Sequence, residues 1–288
     1  MKKILSVIFL LVFISCGRKG SEPDKKIITV SIGPFRYFVE AIAGNEYDVN
    51  VMVPAGSNPH IYEPYPDQVA RLKKSVAYIS NGFLGFEMTW LDRFYEMNRE
   101  MKTLSLGDAV DPIKPEHHHE GEHVEGVDPH YWVSPACALR FSFSLKEFLA
   151  GLNPGNRVVY DKRYEELSGK IRVIDEAMNE LASVSGGKAF IIYHPNLGYL
   201  ARDYGFEEIP VEFEGKEPSP ARMKYLIDRA KSDGLKVIMV QKEYDTRNVT
   251  AIASETGARI YVIDPLSEDW YSSEMELIEI LKESFNYK

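Results

Sequence analysis

Three histidines and one aspartate of this chain occupy positions where the backbone is pinned while the side chain stays free to reach a ligand. His60 lies in Gly56-Ser57-Asn58-Pro59-His60-Ile61-Tyr62-Glu63-Pro64, directly after an apolar run from Asp48 to Pro54. Pro59 fixes its own φ and biases Asn58 toward extended conformations, and Pro64 restricts the exit, so His60 loses little freedom on binding. His130 in Asp128-Pro129-His130-Tyr131-Trp132 and His194 in Tyr193-His194-Pro195 also have a proline as immediate neighbour, and an Asp-Pro-Leu step presents Asp264. A lone histidine beside an apolar run is more often a hydrogen-bonded structural residue than a ligand. Together, three neutral imidazoles and one carboxylate make a donor set that suits a tetrahedral, borderline-soft ion such as zinc. The imidazoles must be deprotonated to bind, so affinity should weaken at acid pH. Asp128, Glu63 and Glu243 are candidate partners that would fix a ring's tautomer.

These four residues need elements that bring them together. Between Lys26 and Leu106 short apolar runs alternate with helical patterns. Strands are expected at Ile27 to Ile32, Val49 to Val53, Val76 to Ser80 and Lys102 to Leu106, with helices at Tyr37 to Ala43, Asp67 to Lys74 and Phe86 to Asn98. Such alternation predicts a parallel sheet covered on both faces, with binding loops at the carboxyl ends of its strands, where His60 falls. Tyr160, Tyr164, Leu167, Ile171, Ile174, Met178 and Leu181 then step by four and three, which predicts one helix over Arg157 to Ser183. At 1.5 Å per residue it would run about 40 Å, longer than one small domain needs. It reads either as a spine between two lobes or as a coiled-coil dimer, and the spine is preferred because strand and helix patterns resume after it. Strands at Ala189 to Tyr193, Glu208 to Phe213, Val237 to Gln241 and Arg259 to Ile263 alternate with helices at Pro220 to Lys231, Arg247 to Thr256 and Ser273 to Phe285. His194 and Asp264 directly follow two of these strands. His60 to His130 spans 70 residues, as does His194 to Asp264, so each half offers two donors.

The fold class expected is therefore α/β: two (β/α) lobes with parallel sheets, joined by one long rigid helix, with a metal site in the cleft between them. The boundaries are 27–155 for the first lobe, 156–185 for the linking helix and 186–288 for the second lobe. Within the first lobe, residues 110–128 break the pattern. His117, His118, His119 and His123 sit there among Glu116, Glu120, Glu122 and Glu125, four of the chain's seven histidines within seven positions. Such bias points to loose metal contact, as against a solvated linker with accidental histidines.

At the start, Lys2 and Lys3 precede an apolar run from Ile4 to Ile14 and then Ser15-Cys16. The run is short for a bilayer span and reads as an export signal over 1–15. A small residue before the cysteine is similar to a lipoprotein cleavage site, which makes Cys16 the lipidated residue; the plainer alternative is an ordinary signal with an incidental cysteine. The polar stretch 16–26 would be a tether to a membrane surface. Cys137 is the only other cysteine, so no internal disulfide is available to a lipidated chain. Removal of residues 1–15 leaves 273 residues with 32 basic and 43 acidic side chains, a formal charge of −11. That balance argues against nucleic acid as a partner and is compatible with attracting cations.

The residues also carry a family resemblance. Pro59-His60-Ile61-Tyr62-Glu63-Pro64, Asp128-Pro129-His130-Tyr131-Trp132, the segment from His194 to Asp203-Tyr204-Gly205, Glu217-Pro218-Ser219, and Glu255-Thr256-Gly257-Ala258 leading to Asp264-Pro265-Leu266 resemble the zinc and manganese receptors among ABC-importer solute-binding proteins. The likeness covers nearly all of the chain after the signal. It implies two (β/α) lobes, a metal at their interface and delivery to an ABC permease, with His60, His130, His194 and Asp264 at the ligand positions. A histidine at the third position and a histidine-rich loop are more typical of the zinc members, so zinc is the expected ligand and manganese the alternative. Three features depart from the pattern. Val133-Ser134-Pro135 replaces a usual Leu-Asp-Pro, Pro195-Asn196-Leu197 replaces small and aromatic residues, and the second-lobe disulfide of some zinc members cannot form.

The function expected is that of an exported, lipid-anchored, monomeric receptor, periplasmic or at the cell surface, that has no enzymatic activity. Two alternatives stand beside it. A metal-dependent hydrolase would use three protein ligands and an open position, with Glu63 or Glu243 as base, but all four candidate ligands come from separated loops and a fourth carboxylate ligand tends to close the site. An adhesin or metal-buffering lipoprotein would share the site and lack a permease.

Overall fold

The computed structural model describes residues 25–114, 126–185, 188–212 and 216–285. Cys16, the export signal, His117, His118, His119 and His123 lie outside the described residues. The chain begins with β1 (Lys26–Ile32), α1 (Gly33–Ala43), β2 (Tyr47–Val53), α2 (Pro66–Leu72), β3 (Ser75–Ser80), α3 (Gly85–Met97) and β4 (Lys102–Ser105). The four strands pair in parallel in the order β2-β1-β3-β4. Residues 28 to 32 of β1 are all buried, on both faces of the sheet, as expected for a strand covered by helices on either side.

A second sheet repeats this order. β5 (Ala189–Ile192), α6 (Gly198–Tyr204), β6 (Glu207–Pro210), α7 (Pro220–Asp233), β7 (Val237–Gln241), α8 (Thr250–Thr256), β8 (Arg259–Ile263) and α9 (Trp270–Ser284) build a parallel sheet ordered β6-β5-β7-β8. The α/β class with two parallel sheets is thus as the sequence predicts. Between the sheets run α4 (Pro135–Leu152) and α5 (Arg157–Ser185).

The 29 residues of α5 span roughly 44 Å at 1.5 Å each. Tyr160, Leu167, Ile171, Ile174, Met178 and Leu181 are buried along one stripe. Near the start of the helix Tyr160 donates to Glu46 of the first lobe (2.6 Å), and further along Asp175 accepts from Tyr204 of the second (2.5 Å). The stripe is covered by the protein's own core, so the spine reading holds and a coiled-coil partner is not needed to bury it.

One hydrophobic cluster runs through both lobes, and a second, smaller one around Ile191, Ile238 and Val240 lies within the second lobe. The larger passes from Phe35 and Phe38 on α1 to Trp270 on α9, whose ring lies 5.0 Å from that of Phe38. Polar bonds cross the same boundary. Trp132 Nε1 donates to the Pro265 carbonyl and Trp270 Nε1 to the Trp132 carbonyl, both at 2.8 Å. Ser134 caps α4 through Cys137 N and donates to Asp203 Oδ2 at 2.5 Å. Ser134, in the departing segment Val133-Ser134-Pro135, is thus tied to a carboxylate of the other lobe. Asn196, in the second departing segment, is buried and accepts from Gln241 Nε2 at 2.8 Å.

Candidate metal centre

Every donor expected from the sequence leaves the carboxyl end of a strand or the loop beyond it, the edge at which open α/β sheets bind ligands. His60 lies in the turn after β2. Asn58 Oδ1 accepts from His60 N at 2.9 Å, closing the turn on itself. The start of α3 presses against it from below: a Cβ at Gly85 would lie 2.4 Å from the His60 carbonyl oxygen, so only glycine fits. His130 precedes a single 3-10 turn, Tyr131–Val133, and its loop is stapled by Asn81, which donates to the Pro129 carbonyl (3.0 Å) and accepts at its own carbonyl from Tyr131 (2.9 Å). His194 follows β5, and the Gln241 amide pairs with both backbone groups of His194 at 3.2 and 2.6 Å.

These supports bring three imidazoles to one point. One nitrogen each of His60, His130 and His194 lies within 4.8 Å of the other two. The ring centroids are 5.1 to 5.3 Å apart, and His60 Nε2 faces His194 Nε2 at 3.2 Å. Two of the rings are oriented by carboxylates. His130 Nδ1 lies 2.8 Å from Asp128 Oδ1 and His194 Nδ1 lies 3.2 Å from Glu212 Oε1. A carboxylate only accepts, so each Nδ1 carries the proton and each Nε2 keeps its lone pair for a cation. Of the expected orienting partners only Asp128 has that role; Glu63 and Glu243 bond to none of the three rings among the described residues.

Asp264 follows β8 as expected, but its oxygens are not part of the trio's 4.8 Å set. Its Oδ2 accepts from Lys242 Nζ at 3.2 Å, while Oδ1 is buried without a hydrogen-bond partner. The cleft itself has a volume of only about 20 Å³, lined by the three histidines together with Asn58, Gln241, Glu243 and Tyr244. Tyr244 stacks on His194 with centroids 5.3 Å apart.

Burial sets the electrostatics. It pulls His60 down to about 3, helped by the neighbouring His130 and His194. His130 is also held below the ordinary histidine value by burial, against the pull of Asp128. Burial alone would raise Asp128, but His130 outweighs it and the carboxyl lies below its usual range. His60 and His130 are therefore held neutral beside an ionised Asp128, the form a divalent cation needs.

Glu212 and Gln241 were not signalled by sequence. Neither has proline or glycine beside it, and each reads as part of an apolar run. The signal available was position: Gln241 ends β7 and Glu212 lies two residues beyond β6, both on the ligand edge.

Comparison with known proteins agrees with this architecture. Residues 28–284 match the ZnuA family model, described as zinc-uptake complex component A, periplasmic. The chain is 27% identical to the high-affinity zinc uptake system protein ZnuA of Bacillus subtilis (strain 168), across 98% of this chain and 94% of that protein. It is 26% identical to the zinc-binding lipoprotein AdcA of Streptococcus pneumoniae serotype 4, across 92% of this chain but only 56% of AdcA, so it spans about half the length of that relative. A crystal structure of ZnuA superposes with a TM-score of 0.83 at 34% identity, covering 91% of this chain and all of that one. The periplasmic zinc-binding protein TroA of Treponema pallidum, at 18% identity and TM-score 0.77, shares the fold. With nearly its whole described length matched, the chain belongs to the ZnuA family of periplasmic zinc-uptake components, which are substrate-binding receptors of ABC transporters and not enzymes.

Proposed function

We propose that this protein binds one zinc ion between its lobes through His60, His130, His194 and Asp264 and delivers it to an ABC permease, with manganese as a weaker alternative cargo. The observation that carries this reading is the trio of imidazole nitrogens within 4.8 Å of one another. Nε2 is the free lone pair on the two rings whose Nδ1 faces a carboxylate, so little reorganisation is left for binding. Asp264 would close the site as the fourth donor, turning its unpartnered Oδ1 toward the ion and leaving Lys242 on Oδ2.

Cys16 would carry the lipid anchor, residues 16–26 the tether, and His117, His118, His119 and His123 an accessory collecting loop. The working unit is a monomer of two lobes, 27–155 and 186–288, on the helix at 156–185. Because Trp132, Ser134 and Trp270 bond across the lobe boundary, release proceeds by small rocking and loop movement near the ligands, not by wide opening.

The test is a competition titration of the full-length protein in detergent against a chromophoric chelator. His60→Ala with His194→Ala should abolish stoichiometric zinc binding, and unchanged affinity would contradict the site. Cys16→Ser should move the protein from the membrane fraction to the soluble one; retention at the membrane would contradict the anchor.

A further inference from the structure

A second carboxylate leaves the same sheet edge as Asp264. Glu243 stands two residues beyond β7 and lines the cleft with His60, His130 and His194, its oxygens lying, like those of Asp264, outside the 4.8 Å set of the three nitrogens. Its Oε1 is buried and has no hydrogen-bond partner. Buried acceptors without donors are rare in folded proteins, because desolvation is not offset by a new bond, and each calls for a reason.

The ordinary reasons do not apply to Glu243. The Nδ1 atoms of His130 and His194 are already held by Asp128 and Glu212, so Glu243 is not needed to fix a tautomer. Nor is it the ion-pair partner of its neighbour, since Lys242 Nζ lies 3.2 Å from Asp264 Oδ2.

We infer that Glu243 is a direct carboxylate donor to the bound cation, joining the three imidazoles and Asp264 to give a mixed nitrogen and oxygen shell. This inference rests on the proposed zinc site and extends it. Added carboxylate oxygen suits manganese better than a shell of three imidazoles and one carboxylate does, so Glu243 also widens the range of metals the site accepts.

The test uses the full-length protein in detergent, loaded with zinc, manganese or cobalt(II). Glu243→Gln keeps the shape and removes the charge. It should lower zinc affinity at least about tenfold, the least expected of a ligand when its supporting residues alone have effects of that size. Manganese affinity should fall by more than zinc affinity. The cobalt(II) ligand-field bands should intensify as the coordination number drops. Unchanged cobalt(II) bands in Glu243→Gln would overturn the inference whatever the affinity, because a donor cannot leave without altering them. Should the variant not fold, Glu243→Asp is read by the same cobalt(II) bands: a shifted spectrum supports the inference, because a shortened donor must alter the shell, and an unchanged one overturns it. Failure of the zinc site itself is distinguishable, since the unaltered protein would then take up no stoichiometric zinc.

Discussion

The two sheets have the same strand order, yet they equip the cleft differently. The first lobe sends two imidazoles on loops, His60 and His130, with one carboxylate, Asp128, turned to the back of a ring. The second sends one imidazole, His194, and three carboxylates: Glu212 behind the ring, and Asp264 and Glu243 with unpartnered oxygens. Neutral donors thus come mainly from one side and charge mainly from the other. A small separation of the lobes would strip a cation of its first-lobe nitrogens while leaving it on second-lobe carboxylates. Rigidity follows the same division. His130 is buried with its loop stapled by Asn81, while Asp264 is partly exposed and shares an oxygen with a surface lysine.

This comparison can be broken in graded steps. Loss of a buried first-lobe donor should be the most severe: His130→Ala is expected to abolish stoichiometric zinc binding, read by competition titration. Loss of orientation should be milder. Asp128→Asn and Glu212→Gln should each weaken zinc about 10- to 100-fold, by analogy with other residues that orient metal-ligating histidines. Asp128→Asn should be the worse of the two, because its contact is shorter, 2.8 against 3.2 Å, and its ring is the more buried.

Acid should act on the metal-free protein through His60. Its ring titrates near 6.5 when unfolded and is pulled down to about 3 in the fold. Between those values the unfolded state binds the extra proton, so stability falls as pH falls. From pH 7 to 5 His60 should contribute a loss of about 2 kcal/mol. Thermal melts at the two pH values should show this loss, and His60→Gln should reduce it; an unaltered difference would show that His60 is not the group responsible. Smallest of all should be Ser134→Ala, which removes a helix cap and a bond to Asp203 across the lobes. It should cost about 1–2 kcal/mol in chemical denaturation and change zinc affinity by no more than a few-fold. A large affinity loss there would mean that the interlobe bonds set the site geometry more tightly than the comparison implies.

The three histidines were legible in the sequence because proline sits beside each one, and proline restricts the backbone whatever the tertiary context. Asp264 was singled out as the residue after an apolar strand; it does follow β8, but its oxygens lie outside the histidines' 4.8 Å set. The orienting residues were less legible. Asp128 was found because it shares the Pro129 turn with His130. Glu212 lies 18 residues from its histidine and Gln241 lies 47 residues from the backbone it clamps, and no local pattern encodes either pairing. The helix Pro135–Leu152 was not predicted although Ser134-Pro135 marks its start. Phe141, Leu145 and Leu149 are buried, but exposed Phe143 and half-buried Leu139 and Phe148 spread apolar character around the helix, so no stripe stands out. The helix expected over Arg247 to Thr256 begins instead as a 3-10 turn over Thr246–Val249, and α8 proper starts at Thr250.

The most direct measurement of the central claim is a paired titration of the full-length protein with zinc and manganese at neutral pH, with Asp264→Ala alongside. Tight binding of one zinc per chain, preferred over manganese and weakened by the substitution, is the predicted result. A preference for manganese, or a zinc affinity indifferent to Asp264, would contradict a site of three imidazoles closed by that carboxylate.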